Sequence, residues 1–150
     1  MFRKLMRTDD NTAITIIRVT LGVVFFAHGA QKVFGWFGGP GFSGAIQYFS
    51  SLHVPEFFAL LAIAAEFFGS LGLISGLLTR VAAFGIAVDM IVAVALIHIH
   101  YGFFMNWHGK QSGEGIEYHL LVLAMAAFLI IRGAGSLSLD QKIAGAEPRV

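Results

Sequence analysis

Ionisable residues sit inside segments otherwise built for a lipid bilayer, and that conflict narrows what this chain can become more than any other feature. Phe57 to Leu78 reads FFALLAIAAEFFGSLGLISGLL, apolar but for Glu66 and two serines. Val81 to Ile99 is broken by Asp89 and His98, and the first apolar segment carries Arg18, His28 and Lys32. A charge at bilayer depth costs at least ~2.5–3.5 kcal/mol on insertion scales, so it faces a protein partner or a water-filled site rather than lipid. Composition agrees: 57% of residues are hydrophobic and 13% charged, against roughly 25% charged in an ordinary soluble domain.

Four segments could span a membrane: about Ala13 to Val33, Phe57 to Leu78, Val81 to Ile99, and Ile116 to Ile131. The last is short for a bilayer that needs ~20 residues. Backward extension through Gly113 to Gly115, or local thinning, would close the gap. Uninterrupted apolar runs read as helices, since barrel strands would alternate over ~10 residues. The expectation is an all-α single domain, a four-transmembrane-helix bundle whose second and third helices form a tight hairpin at Thr79 and Arg80. Arg3, Lys4 and Arg7 resemble the basic start of a signal peptide, but Arg18 falls where the uncharged core of such a peptide belongs, so the segment is kept as a helix. There is no cysteine, which excludes disulfides and thiol chemistry within the chain. A net charge of +1 gives no argument for nucleic acid.

Orientation follows from lysine and arginine placement. Four crossings put both termini and the second–third loop on one side, with Arg3, Lys4, Arg7, Arg80, Arg132, Lys142 and Arg149. The opposite loops hold only Lys110, with Lys32 at a helix end. Both termini are therefore expected in the cytoplasm. All six histidines, with Glu56, Glu114 and Glu117, then fall in the outer half or on the outer face, where Trp36, Tyr101 and Trp107 suit the interface.

Helical phase, at about 100° per residue, sets Arg18, Gly22, Phe25, Gly29 and Lys32 on one stripe of the first helix, with His28 at i,i+4 from Lys32. On the second helix Glu66 shares a face with Ser70. Gly72 and Gly76 read as a small-xxx-small pair for close helix approach. Asp89 and His100 fall near one face of the third helix. The simplest arrangement points Glu66, Asp89 and the Arg18–Lys32 stripe into the bundle core. Arg18 and Lys32 have a plainer reading as snorkelling or structural partners of Glu66 and Asp89, and Asp89 could equally pair with Arg18 or Arg80.

A metal site without cysteine would be of the histidine–carboxylate type. His98, His100 and Glu114 are weak candidates, as are Glu117 and His119. His98 and His100 point ~200° apart on a helix and could share an ion only if the helix ends there. Haem would need an axial histidine at depth, such as His28 with His98 or His119.

The run Arg18-Val19-Thr20-Leu21-Gly22, then Phe26-Ala27-His28-Gly29 and Lys32, resembles the first helix of the DoxX family. Glu66-Phe67-Phe68-Gly69 with Gly76-Leu77-Leu78-Thr79-Arg80 is similar to that family's second. The tail from Gly133 to Asp140 looks like its C-terminal signature. The resemblance covers about Arg18 to Asp140. It implies a small four-helix inner-membrane protein of bacteria or archaea, linked to thiosulfate:quinone oxidoreductase and to membrane assemblies that handle sulfur or oxidative stress.

The leading expectation is a redox-associated subunit binding a quinone or similar small molecule near the outer face. Such chemistry needs a proton donor or acceptor at the ring carbonyls and a cation for the reduced anion. His28, Lys32 and Glu66 are the expected catalytic residues. Arg18, Glu117, His119 and Asp89 are the expected further ligand-binding residues. Alternatives are a non-catalytic scaffold that anchors soluble oxidoreductases and a small proton-coupled transporter using Glu66 and Asp89. A homo-oligomer or an oxidoreductase partner is compatible with each.

Overall fold

A computed structural model describes residues 5–144 and 146–147; Arg3, Lys4 and Arg149, counted above toward the basic side, lie outside them. Among the described residues the chain is mostly helical: α1 (Thr12–Phe34), α2 (Gly41–Ser51), α3 (Glu56–Ser75), α4 (Thr79–Leu96), α5 (Glu117–Arg132) and α6 (Leu139–Ala144). Single 3-10 turns follow α1 (Trp36–Gly38) and α4 (His98–Tyr101). Thr8 and Asp9 pair in parallel with Ala146 and Glu147.

Three helices, α1, α3 and α4, are long and apolar enough to cross a membrane. The 16 residues of α5 reach only ~24 Å at 1.5 Å per residue. Its start at Glu117 shows that Gly113 to Gly115 do not extend it. The third span ends earlier than expected, at Leu96 rather than Ile99, so His98 and His100 lie in the following turn. The expected common face of Asp89 and His100 is thereby lost. Two short helices, α2 and α6, were not anticipated; each is shorter than a bilayer needs, so a search for spans passes over it.

The helix ends have local causes. The Asn11 side chain accepts a hydrogen bond from the Ala13 amide at 2.8 Å and starts α1. Gly35, at φ 72, ends it by returning its amide to the carbonyls of Ala30 and Gln31. Between α1 and α3 the backbones nearly touch: a Cβ added at Gly29 would stand 2.7 Å from Phe67 Cα. Gly76 does not act as the second member of a helix-packing pair. It lies past the end of α3 at φ 68, as its left-handed cap, against the Arg18 guanidinium.

α3 packs most closely on α1 and also on α4, and α4 on α5, while α1 and α5 meet least. The shared core holds Ile14, Leu21 and Phe25 of α1, Leu73 of α3, Ile86 of α4, and Val122 and Leu129 of α5. α1, α3, α4 and α5 thus form a ring with its loosest seam between α1 and α5.

The end of the ring carrying residues 5–11, the α3–α4 turn and residues 133–144 is here called basal, the other distal. Two arginines, the buried Arg18 and the half-buried Arg80, tie the basal end together. Arg18, 1% exposed, gives its guanidinium to the carbonyls of Leu73, Ile74, Ala134 and Leu137. Arg80 does the same for Ile130 and Ile131, and reaches Leu5 and Arg7. The buried Asp140 carboxylate accepts from the amides of Leu78 (2.7 Å) and Thr79 (2.9 Å), the first turn of α4. Each side chain serves main-chain groups that a helix end leaves without partners.

Candidate functional site

Glu66 lies ten residues into α3 and Asp89 ten into α4, so each is ~15 Å from its helix start, near mid-depth. Glu66 is buried at 5% exposure, as its phase predicts. Lys32 comes from the last turn of α1, and its long apolar stem allows the ammonium to reach away from its own Cα. Its Nζ meets Glu66 Oε2 at 2.6 Å. The expected cation for Glu66 is therefore Lys32, not Arg18, whose donors are committed to basal carbonyls.

Asp89 does not pair with Arg18 or Arg80. It lies instead within electrostatic reach of Glu66 and Lys32, so a cation and two carboxyl groups share this depth of the bundle.

His28 and Tyr118 stand on the α1–α5 side of this trio. The His28 ring lies 6.1 Å from that of Phe25 and 6.5 Å from that of Tyr118, within electrostatic reach of Glu66 and Lys32. Tyr118 also interacts electrostatically with Glu66, while its hydroxyl is buried without a hydrogen-bond partner. A buried unpaired hydroxyl costs on the order of 1–3 kcal/mol. Sequence reasoning named Glu117 and His119 and passed over the tyrosine between them. Its one signal was a polar tip at helical depth, which a tyrosine at a membrane interface shows as well.

The remaining candidates form a separate distal rim. Glu117 Oε1 accepts from the Met105 amide and the Trp107 indole, each at 2.9 Å, and so braces the 102–116 loop. His119, 4% exposed, lies against His98 with ring centroids 4.0 Å apart. His98 Nδ1 contacts the Glu114 carbonyl oxygen at 2.8 Å, while the Glu114 carboxylate takes the Asn106 amide at 2.6 Å. His100 is exposed. The weak metal candidates His98, His100 and Glu114 therefore do not converge through ligand atoms. Among the described residues no three His, Cys, Asp or Glu side chains are grouped to hold an ion. The ring neighbours of His28 are Phe25 and Tyr118, so it is not paired with His98 or His119 in the manner expected for haem.

The structure thus joins Lys32, Glu66, Asp89 and His28 with Tyr118 at one place. It leaves Glu117 and His119 on the rim and Arg18 at the other end. Lys32, Glu66 and Asp89 can offer an ammonium and two carboxyl groups to a polar atom, beside two aromatic rings.

Comparison with known proteins agrees with a place in the membrane. CatD of Bacillus subtilis, which carries a provisional oxidoreductase name, is 30% identical over 125 residues, 83% of this chain and 82% of its own. The inner membrane protein YqjF of Escherichia coli is 26% identical over 136 residues, 91% of this chain and 95% of its own. Rv3486 of Mycobacterium tuberculosis, an uncharacterized membrane protein, is 29% identical over 147 residues, 93% of this chain and 86% of its own. No solved structure matches. With residues 13–99 matching the family's own description, and with helices apolar enough to span, the chain belongs to the DoxX family of membrane proteins.

Proposed function

We propose that this chain is a multi-pass inner-membrane subunit that binds a quinone, or a similar small redox-active ring, in the distal half of the bundle. The observation that carries the reading is the Lys32–Glu66–Asp89 trio at mid-depth, beside a buried, unpartnered Tyr118 hydroxyl. A ring carbonyl that gains electrons needs a hydrogen-bond or proton donor and a nearby cation. Asp89, Tyr118 and Lys32 have those properties, and His28 adds a group that can exchange protons with the distal side. The seam between α1 and α5, the loosest of the ring, is the route of entry. The oxidoreductase name of the Bacillus relative supports the redox class, with an oxidoreductase partner as electron source.

In this reading α5 is a fourth crossing, with the bilayer thinned or snorkelled at its ends to match its length. The basal end faces the cytoplasm, because Arg7, Arg80, Arg132 and Lys142 gather there and Lys110 alone lies in the distal loop. The test is direct. Protein purified in mild detergent is extracted for quinones and then titrated with a short-chain quinone. Binding in the wild type, weakened at least about tenfold in Lys32→Met and Glu66→Gln, is the expected result. Absence of both endogenous and added quinone would remove the reading.

Glu66 and Asp89 at one depth also suit a small proton-coupled transporter, in which a proton moves with a solute. Proton-coupled flux through purified protein in liposomes, lost in Asp89→Asn, would favour it. Co-purification of a soluble oxidoreductase that survives Glu66 substitution would favour the scaffold role instead.

A further inference from the structure

The two distal loops differ in chemistry. The one after α4 carries Lys110, Glu114 and histidines, whereas no Asp, Glu, Lys or Arg stands between Lys32 and Glu56. In that uncharged stretch Trp36, Phe37, Phe42 and Tyr48 are exposed. Apolar side chains gathered on a surface mark a place where something docks.

The stagger of α1 against α3 identifies what covers them. Gly29 is level with Phe67, since a Cβ there would stand 2.7 Å from Phe67 Cα. Beyond that level α1 ends at Phe34, while α3 runs on to Glu56. At 1.5 Å per residue, α3 therefore reaches about 9 Å farther in the distal direction. Phe57 and Phe58 on this extra length are exposed, so the bilayer extends past the end of α1. α2 lies at that depth. Its link is folded back on α1: a Cβ at Gly39 would stand 2.5 Å from Gln31 Cα, and the Gln31 side chain donates to the Phe37 carbonyl at 3.4 Å. α2 then packs on both α1 and α3. At ~100° per residue its Phe42, Ala45 and Tyr48 share one arc, with Ser43, Gln47 and Ser50 opposite. Ala45, at the centre of the apolar arc, is buried, while Phe42 and Tyr48 on its flanks are 48% and 51% exposed. The bundle covers only the middle of that arc.

We infer that α2 is an interfacial helix. It lies in the boundary between headgroups and acyl chains of the distal leaflet, with Trp36, Phe42 and Tyr48 against lipid and Ser43 and Gln47 toward water. The helix has no lysine or arginine, so apolar burial holds it there and neutral lipid suffices. This place for α2 holds whatever the bundle binds.

The absence of cysteine makes labelling a direct test. Phe42, Ser43, Gln47 and Tyr48 are all exposed on the bundle, so water around α2 would give all four positions similar reactivity. In permeabilised phosphatidylcholine vesicles, Phe42→Cys and Tyr48→Cys should react with a charged maleimide at least about tenfold more slowly than Ser43→Cys and Gln47→Cys, because lipid disfavours the thiolate that attacks. Equal rates would overturn the inference. Trp107→Phe leaves Trp36 as the only tryptophan. Its emission should be quenched more by lipids brominated near the headgroup end of the chain than by lipids brominated at the chain terminus, and equally in neutral and anionic vesicles. Slow labelling without lipid quenching would mean that a second copy or another protein covers α2, and would overturn the assignment to lipid.

Discussion

Arg18→Met separates a fold-holding arginine from a ligand-binding one. The guanidinium is buried and serves four main-chain carbonyls, those of Leu73, Ile74, Ala134 and Leu137. Methionine fills the volume and serves none. The Leu73 carbonyl keeps the Gly76 amide, but each of the other three acceptors, left unpaired, costs on the order of 1–3 kcal/mol, roughly 3–9 kcal/mol before relaxation or water entry. Taking the low end, about 3 kcal/mol is a large part of the ~5–15 kcal/mol that holds an ordinary domain together. It corresponds to a drop in Tm of roughly 6–12 °C for a chain of this length. Arg18→Lys keeps the charge but has a compact ammonium in place of a planar fork, so it should lie between methionine and wild type. The assay is thermal unfolding in detergent, with quinone titration of whatever remains folded. A methionine variant of unchanged Tm that has lost ligand would refute the basal role and return Arg18 to the binding site.

Three further outcomes follow from the same geometry. Gly29→Ala should cost ~1–3 kcal/mol by overpacking, because the new methyl meets the Phe67 backbone at 2.7 Å. Gly38→Ala, with nothing within 4 Å, should cost only the ~1 kcal/mol of its left-handed backbone, and thermal scans of the pair will separate the two effects. Asp140→Ala should cost ~1–2 kcal/mol, as the loss of a helix cap does, and leave ligand affinity intact; impaired affinity would argue against its purely structural role. The chain has no cysteine, so single substitutions Lys110→Cys and Lys142→Cys report topology cleanly. A membrane-impermeant maleimide applied to intact cells should label the first and not the second; the opposite result would invert the bundle.

The sequence carried the long helices because a spanning run is one-dimensional: length and hydropathy suffice. It placed Glu66 inward and named Lys32 among its possible partners, because helical phase and the cost of a charge in lipid both act on single segments. It mistook the role of Arg18. Phase put Arg18 on the same stripe as Lys32 but could not say which end of the neighbouring helix each would meet. Antiparallel packing of α1 on α3 sets Arg18 against the end of α3 and Lys32 against its middle. That Asp89 comes within electrostatic reach of Glu66 depends on the packing of α3 on α4, which no single segment shows. Asp140 was visible only as part of a signature, since capping α4 from 61 residues away is a tertiary fact. Gly76 fitted a packing motif by spacing alone; the positive φ that makes it a cap belongs to the turn.

The two ends of the bundle use polar groups for different purposes, and a triple substitution exposes the difference. At the basal end Arg18, Arg80 and Asp140 each satisfy main-chain atoms, which no leucine can replace. At the distal end Lys32 and Glu66 bond side chain to side chain, with Asp89 within electrostatic reach. Buried ion pairs of that kind add little stability, because desolvation offsets their attraction, and well-packed apolar residues often serve as well or better. Removing one member is a separate matter, since it strands a charge. The combined variant Lys32→Met, Glu66→Leu, Asp89→Leu should therefore keep or raise Tm relative to wild type, although Glu66→Leu alone lowers it. It should also lose quinone affinity. If the triple variant fails to fold while its basal contacts are intact, the trio is structural glue and the distal end holds no site. If it folds and still binds ligand, the site lies elsewhere, and the His98–His119 contact on the rim becomes the place to look. A stable bundle that has lost its ligand is the result this geometry requires.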